Sequence, residues 1–230
     1  GCRYMIAENY PFTPERLEMA RLAQSGMLGQ IQYAEGEYNH PCPVADLEYL
    51  TPGKYHWRAW LPRTYYVTHA LGPIMYMAQT MPLTVNARAV HSPEIKKIEH
   101  LRHNYDSVGM MLCQMDNGAI FRFTGCTEMM SPSGYRIVGE RGSAECGRAV
   151  PAGSVFSTYK SWDLPEGCKP VQTYEPALDE VMQRASGYGH GGGDYYIIYN
   201  MIESLLYGKS YFLLRSLYEC RRDIGLEKYN

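Results

Sequence analysis

The pattern of apolar and polar positions divides the chain into a few helices and a larger number of strands. Leu17, Ala20, Ala23 and Met27 recur at helical spacing behind Thr13-Pro14-Glu15, where a capping hydroxyl, a proline in the first turn and an early acid favour a helix start. Gly26 and Gly29 bracket its end. Before it, residues 4–7 read as a short buried strand that runs into the polar pair Glu8-Asn9. Residues 31–40 alternate, with Tyr33, Glu35 and Glu37 on one face and Ala34, Gly36, Tyr38 and His40 on the other. Pro41, Pro43, Pro52 and Pro62 then mark a loop-rich region to about Thr64, longer than a plain connection needs.

A helix is expected from about Val67 to Met77, distorted at Pro73, which lacks a backbone donor. Residues 84–90 read as a strand. Residues 108–115 and 119–125 flank Asp116-Asn117-Gly118, a strong hairpin signal because Asn-Gly accepts positive φ. Residues 135–139 and 144–146 repeat the device around Arg141-Gly142-Ser143. The Pro-, Gly- and Ser-rich stretch 151–176 reads as a surface loop. A helix is expected to start at 178–185. A flexible glycine loop surrounds His190, Asp194 caps a helix to about Tyr207, and residues 211–223 form a last helix. This order predicts an α+β fold, a largely antiparallel open sheet flanked by helices, and no GxGxxG follows a strand.

Composition narrows the function classes. The 230 residues are 45% hydrophobic and 20% charged, enough for a packed core without disulfides or metal. A net charge of -2 with no basic block argues against a nucleic-acid partner. No apolar run approaches the roughly 20 residues of a membrane span. Seven cysteines without a CxxC pair fit neither a disulfide framework nor a zinc ribbon, and a reducing cytoplasm is expected. The opening residues do not read as a secretory signal. The 21 tyrosines against 5 phenylalanines suit the walls of a polar ligand site, and equally suit half-exposed sheet faces.

Candidate chemistry centres on His69, because histidine as a residue type is suited to proton transfer near neutral pH and the small residues after it would let it enter a cavity, and on Tyr66, three residues earlier. His40, His69, Glu35, Glu37, His190 and Asp194 have no tight metal-ligand spacing, so no metal is expected.

With residues 4–9, Glu35-Gly36-Glu37-Tyr38, Thr68-His69-Ala70-Leu71-Gly72-Pro73 and His190-Gly191-Gly192-Gly193-Asp194-Tyr195, the chain resembles the C-terminal domain of the glucose-fructose oxidoreductase/inositol dehydrogenase (Gfo/Idh/MocA) family. Within it the chain is similar to the NAD-dependent α-N-acetylgalactosaminidases, glycoside hydrolases with a Tyr-x-Thr-His-x-Leu-Gly-Pro segment like residues 66–73. The resemblance implies that residues 1–9 end a Rossmann domain lying upstream, and that residues 10–230 bind substrate and oligomerise. The full-length parent would be an enzyme, and this chain alone would be inactive.

The cofactor implied is NAD, which removes hydride from a sugar carbon; the ketone acidifies its neighbour, a group is eliminated, water adds and hydride returns. By resemblance His69 and Tyr66 are catalytic, Tyr38, Arg58, Thr68 and Tyr195 bind the sugar, and Asn9 reaches the cofactor. Arg63 is the rival of Arg58 if the loop register differs. Two alternatives stay open: a net NAD(P)-dependent sugar or cyclitol dehydrogenase, and a non-catalytic binding module. A homo-oligomer formed through the sheet face is expected.

Overall fold

Gly118, at φ 86°, closes the turn that Asn117-Gly118 announces, and the strands on either side pair antiparallel with Cys113 opposite Phe121. Around this hairpin the protein builds one eight-stranded sheet. The computed structural model describes Met5 and residues 7–59, 67–91, 106–126 and 132–208. Its strands are β1 (Ile31–Asn39), β2 (Pro82–His91), β3 (Asp106–Met115), β4 (Ile120–Cys126), β5 (Gly134–Gly139), β6 (Gly142–Gly147), β7 (Val155–Tyr159) and β8 (Val171–Tyr174). They lie in the order β2-β3-β4-β1-β5-β6-β7-β8. Every neighbouring pair is antiparallel except β1 with β4, which is parallel. The helices are α1 (Pro14–Gln24), α2 (Val44–Leu50), α3 (Thr68–Ala78), α4 (Glu180–Ala185) and α5 (Gly193–Tyr207), with 3-10 turns at Tyr10–Phe12, Trp57–Ala59 and His190–Gly192. The expected α+β class and the largely antiparallel sheet are both found.

Alternation along β1 sorts the two faces of the sheet. Ala34 and Tyr38 are buried with Phe121, Phe123, Tyr135 and Ile137, and α1 and α3 supply Met19, Leu22, Ile74 and Met77 to the same core. Each Phe, Leu, Ile or Met side chain so removed from water is worth about 1.5–3 kcal/mol. The opposite face of β1 is polar. Glu35 accepts from the Tyr33 hydroxyl at 2.7 Å and from Arg148 at 2.7 Å, with Arg122 of β4 at 3.1 Å. Burial alone would raise the Glu35 pKa, but these donors outweigh it and hold the carboxyl below its ordinary value. A buried acid in mid-strand is tolerated because the neighbouring strands bring arginines to it.

Four expectations need correction. The stretch 151–176 is not all loop but contains β7 and β8; Val155, Ser157 and Tyr159 point inward in strict alternation, a signal hidden by the flanking Pro and Gly. The loop-rich region after His40 contains α2, which buries Leu47 against Ala59 with Cys42 and Val44 beside them. Met5 and Ala7 carry no strand, and the rest of that expected strand lies outside the described residues. Asp194 does not cap α5: Gly192 holds the cap position and the Asp194 side chain bonds elsewhere. The expected helix over 211–223 also lies outside the described residues.

Candidate functional site

Pro73 sets up the site from inside α3. Without an N–H it leaves the His69 carbonyl, four residues back, lacking its helical donor. The Tyr135 hydroxyl from β5 donates to that carbonyl at 2.6 Å. Tyr135 is fully buried, and burial pushes its phenol pKa up, so it remains a donor. The helix is thus fastened to the sheet at the residue that carries the chemistry.

The His69 ring is fixed on its other side by Glu8, whose two oxygens lie 2.7 and 2.8 Å from Nδ1. Glu8 is only 4% exposed and also accepts the Tyr10 N–H at 3.2 Å. An ionised Glu8 accepts and does not donate, so against it Nδ1 carries the proton, and Nε2 is the nitrogen at which a neutral ring is basic. The Tyr10 ring stacks on the imidazole at 4.4 Å and 19°, and Tyr38 meets it edge-on at 4.6 Å and 82°. Such a ring can take up and return a proton while its orientation holds.

A second imidazole–carboxylate pair sits at the start of α5. His190 Nδ1 lies 3.0 and 2.8 Å from the Asp194 oxygens, and the Asn9 amide donates to the same carboxylate at 2.7 Å. These bonds, that from Asn9 foremost, hold the Asp194 carboxyl below its usual range. His190, Gly191 and Gly192 have φ of 54, 63 and 96°, a left-handed run that glycine makes accessible. It sets the His190 ring 6.4 Å from Tyr10, so Tyr10 neighbours both imidazoles. Because Asn9 turns its N–H group to Asp194, its Oδ1 points away, buried and without a partner among the described residues.

The residues expected from sequence separate into groups. His69 is central and Tyr38 adjoins it, buried at 7% exposure as a wall of the ring cluster. Thr68 is exposed at the first position of α3. Arg58 lies in the Trp57–Ala59 turn with its guanidinium 4.9 Å from the Trp57 ring. Tyr195 has ring contacts with Tyr188, Tyr196 and Tyr199 rather than with the His69 cluster. Asn9 reaches Asp194. Tyr66 and Arg63 lie outside the described residues.

Sequence reading missed Glu8, Tyr10 and the pairing of His190 with Asp194. The i,i+4 spacing of the last pair was visible. Glu8 gave a fainter signal, an acid between Ala7 and Tyr10 at the end of an apolar run. Among the described residues no group of three or more His, Cys, Asp or Glu is placed to hold a metal ion, and no helix is long and apolar enough to cross a membrane.

No protein-family model and no curated protein sequence matches the chain. Solved structures do. An aldose-aldose oxidoreductase from Caulobacter crescentus complexed with glycerol is 14% identical, with a TM-score of 0.62, over 96% of this chain and 61% of its own. An inositol dehydrogenase homologue from Azotobacter vinelandii complexed with NADH and myo-inositol is 17% identical, with a TM-score of 0.60, over 95% and 60%. A super-repressor mutant of Gal80p from Saccharomyces cerevisiae is 13% identical, with a TM-score of 0.62, over 89% and 52%. The chain therefore spans 52 to 61% of the length of these proteins. At such identity the likeness is one of fold, and at that level it agrees with the resemblance in sequence. One fold serves NAD-binding oxidoreductases and a repressor, so the site must carry the argument for function.

Proposed function

We propose that this chain is the substrate-binding part of an NAD-dependent enzyme of sugars or cyclitols, and that its reaction is glycosidase-like, removing and returning hydride on one sugar. The observation that carries the reading is the pair of carboxylate-held imidazoles, His69 with Glu8 and His190 with Asp194, on a shared Tyr10. Oxidising a hydroxyl needs one acid–base group, whereas elimination followed by water addition needs a second.

Asn9 fits a cofactor role, since its buried Oδ1 lacks a donor that a cofactor N–H or hydroxyl would supply. NAD, when bound, accepts the hydride from a sugar carbon and later gives it back. His69 takes the hydroxyl proton at Nε2, and Glu8 stabilises the imidazolium. The ketone acidifies the adjacent C–H. His190 moves that proton to the departing oxygen, water adds to the alkene, and His69 returns its proton to the restored alcohol. Hydrolysis is the net result. Tyr38, Arg58, Thr68 and Tyr195 complete the sugar site in this reading, with Tyr66 assisting His69.

Incubation with a glycoside, in the presence of the NAD-binding part, tests the proposal. Sugar should be released with no net NADH, and solvent deuterium should enter the carbon next to the oxidised one. NADH formed in proportion to turnover would end the glycosidase reading and leave a net dehydrogenase. Fold likeness to the inositol dehydrogenase homologue favours that second reading.

We also read the protein as a cytoplasmic homo-oligomer. The face of the sheet away from α1 and α3 exposes Met110, Leu112 and Ile120 beside the Arg122–Glu35 pair, and a second copy would cover them. Light scattering should show a dimer or larger, and Leu112→Glu should reduce it to monomer. A wild-type chain that stays monomeric at high concentration would remove this part of the proposal.

A further inference from the structure

Arg16, on α1, is mostly buried yet poorly paired. Its side chain is 14% exposed; among the described residues its nearest carboxylate oxygen, on Glu15, is 4.0 Å from Nε, Nε itself is buried without a hydrogen-bond partner, and the other neighbour of the guanidinium is the weakly polar thiol of Cys146. Taking a guanidinium out of water this far is costly unless something else holds it. Two aromatic faces do. The guanidinium carbon lies 4.8 Å from the Tyr10 ring centre and 4.7 Å from that of Tyr135. Its Nη1 also donates to the Tyr10 carbonyl at 2.8 Å.

Both tyrosines lead to one residue. The Tyr10 ring stacks on the His69 imidazole, and its N–H is bound by Glu8, the partner of His69 Nδ1. The Tyr135 hydroxyl holds the His69 carbonyl. A single planar cation therefore braces the ring of His69 through Tyr10 and its main chain through Tyr135.

We propose that Arg16 is a positioning residue for His69, one that keeps the imidazole aligned on Glu8 without touching substrate. This deepens the acid–base reading of His69 given above and rests on it. The shape of the group matters. A lysine ammonium is a compact point charge that cannot spread over two rings while donating from a separate nitrogen to the Tyr10 carbonyl, so charge alone does not restore the brace.

The test is a spectroscopic one on the whole chain and needs no turnover. In the wild type, NMR of the histidine rings should show the His69 Nδ1 proton downfield and exchanging slowly with water. In Arg16→Met that exchange should quicken about thirtyfold, the scale of a desolvated cation–π contact, while thermal melting shows a folded chain. Arg16→Lys should behave likewise despite its charge, and it carries the measurement if Arg16→Met does not fold. Unchanged exchange in a folded variant overturns the role of Arg16 and leaves His69 in place. No such proton in the wild type overturns this inference and the acid–base reading together.

Discussion

Glu8→Gln is expected to lower turnover of the NAD-supplied enzyme about 10²–10⁴-fold while leaving substrate affinity nearly unchanged. The amide has the size of the carboxylate it replaces, but it carries no charge to stabilise an imidazolium. It also offers a donor as well as an acceptor to Nδ1, so the ring loses the single tautomer that the two contacts at 2.7 and 2.8 Å impose. The purely structural rival is that the pair only holds the start of α3. Thermal melting separates the two. His69→Gln alone strands a carboxylate that is 4% exposed and should destabilise the fold by about 3 kcal/mol. The double variant Glu8→Gln/His69→Gln removes the stranded carboxylate as well as the ring and should recover much of that stability without recovering turnover. Recovery of turnover as well, or a Glu8→Gln enzyme within a few-fold of wild type, would reduce the pair to a structural bond.

What the sequence made legible, and what it hid, follows from the range of the interactions. The β3–β4 hairpin depends on Asn117 and Gly118, and the two faces of β1 on alternation, so both could be read locally. His69 could be singled out because histidine suits proton transfer, small residues follow it, and it sits in the Thr-His-x-Leu-Gly-Pro segment that carries the resemblance. Its partner could not. Glu8 is 61 positions away, and no local pattern ties an acid before α1 to an imidazole in α3. Arg16 was hidden more deeply, since in sequence it is one of several charges on an amphipathic helix, and only the fold sets it between Tyr10 and Tyr135. Asp194 misled for a physical reason. An acid at a helix start is ordinarily a cap, but here glycines supply the turn and leave the carboxylate to Asn9 and His190. The strands β7 and β8 were lost because they are only five and four residues long, with turn formers on either side.

Gly36→Ala is expected to be the most damaging of the small substitutions. A β-carbon at Gly36 would lie 2.0 Å from the carbonyl oxygen of Ala70 and 2.9 Å from its carbon. Those are backbone atoms of α3, so relief requires the helix to leave the sheet, and His69 goes with it. Overpacking against backbone should cost about 3 kcal/mol, or a fall of about 6–12 °C in Tm for a chain of this size. Turnover should fall as well, because the Tyr135–His69 bond is lost with the seat of the helix. Two other glycines calibrate the result. At Gly72 the added carbon would meet Glu8 Cγ at 2.8 Å, inside the buried side chain of the dyad itself. Gly72→Ala should therefore cost less stability than Gly36→Ala, since side chain rather than backbone must give, and much activity. At Gly125 the added carbon meets nothing within 4 Å among the described residues, and Gly125→Ala should change neither. The three substitutions make the same chemical change, so an ordering of Gly36 worst in stability, Gly72 selective for turnover and Gly125 silent would tie activity to the seating of His69 on Glu8. If Gly72→Ala were as active as wild type, the enzyme would tolerate a displaced Glu8, and the acid–base role would have to pass to His190.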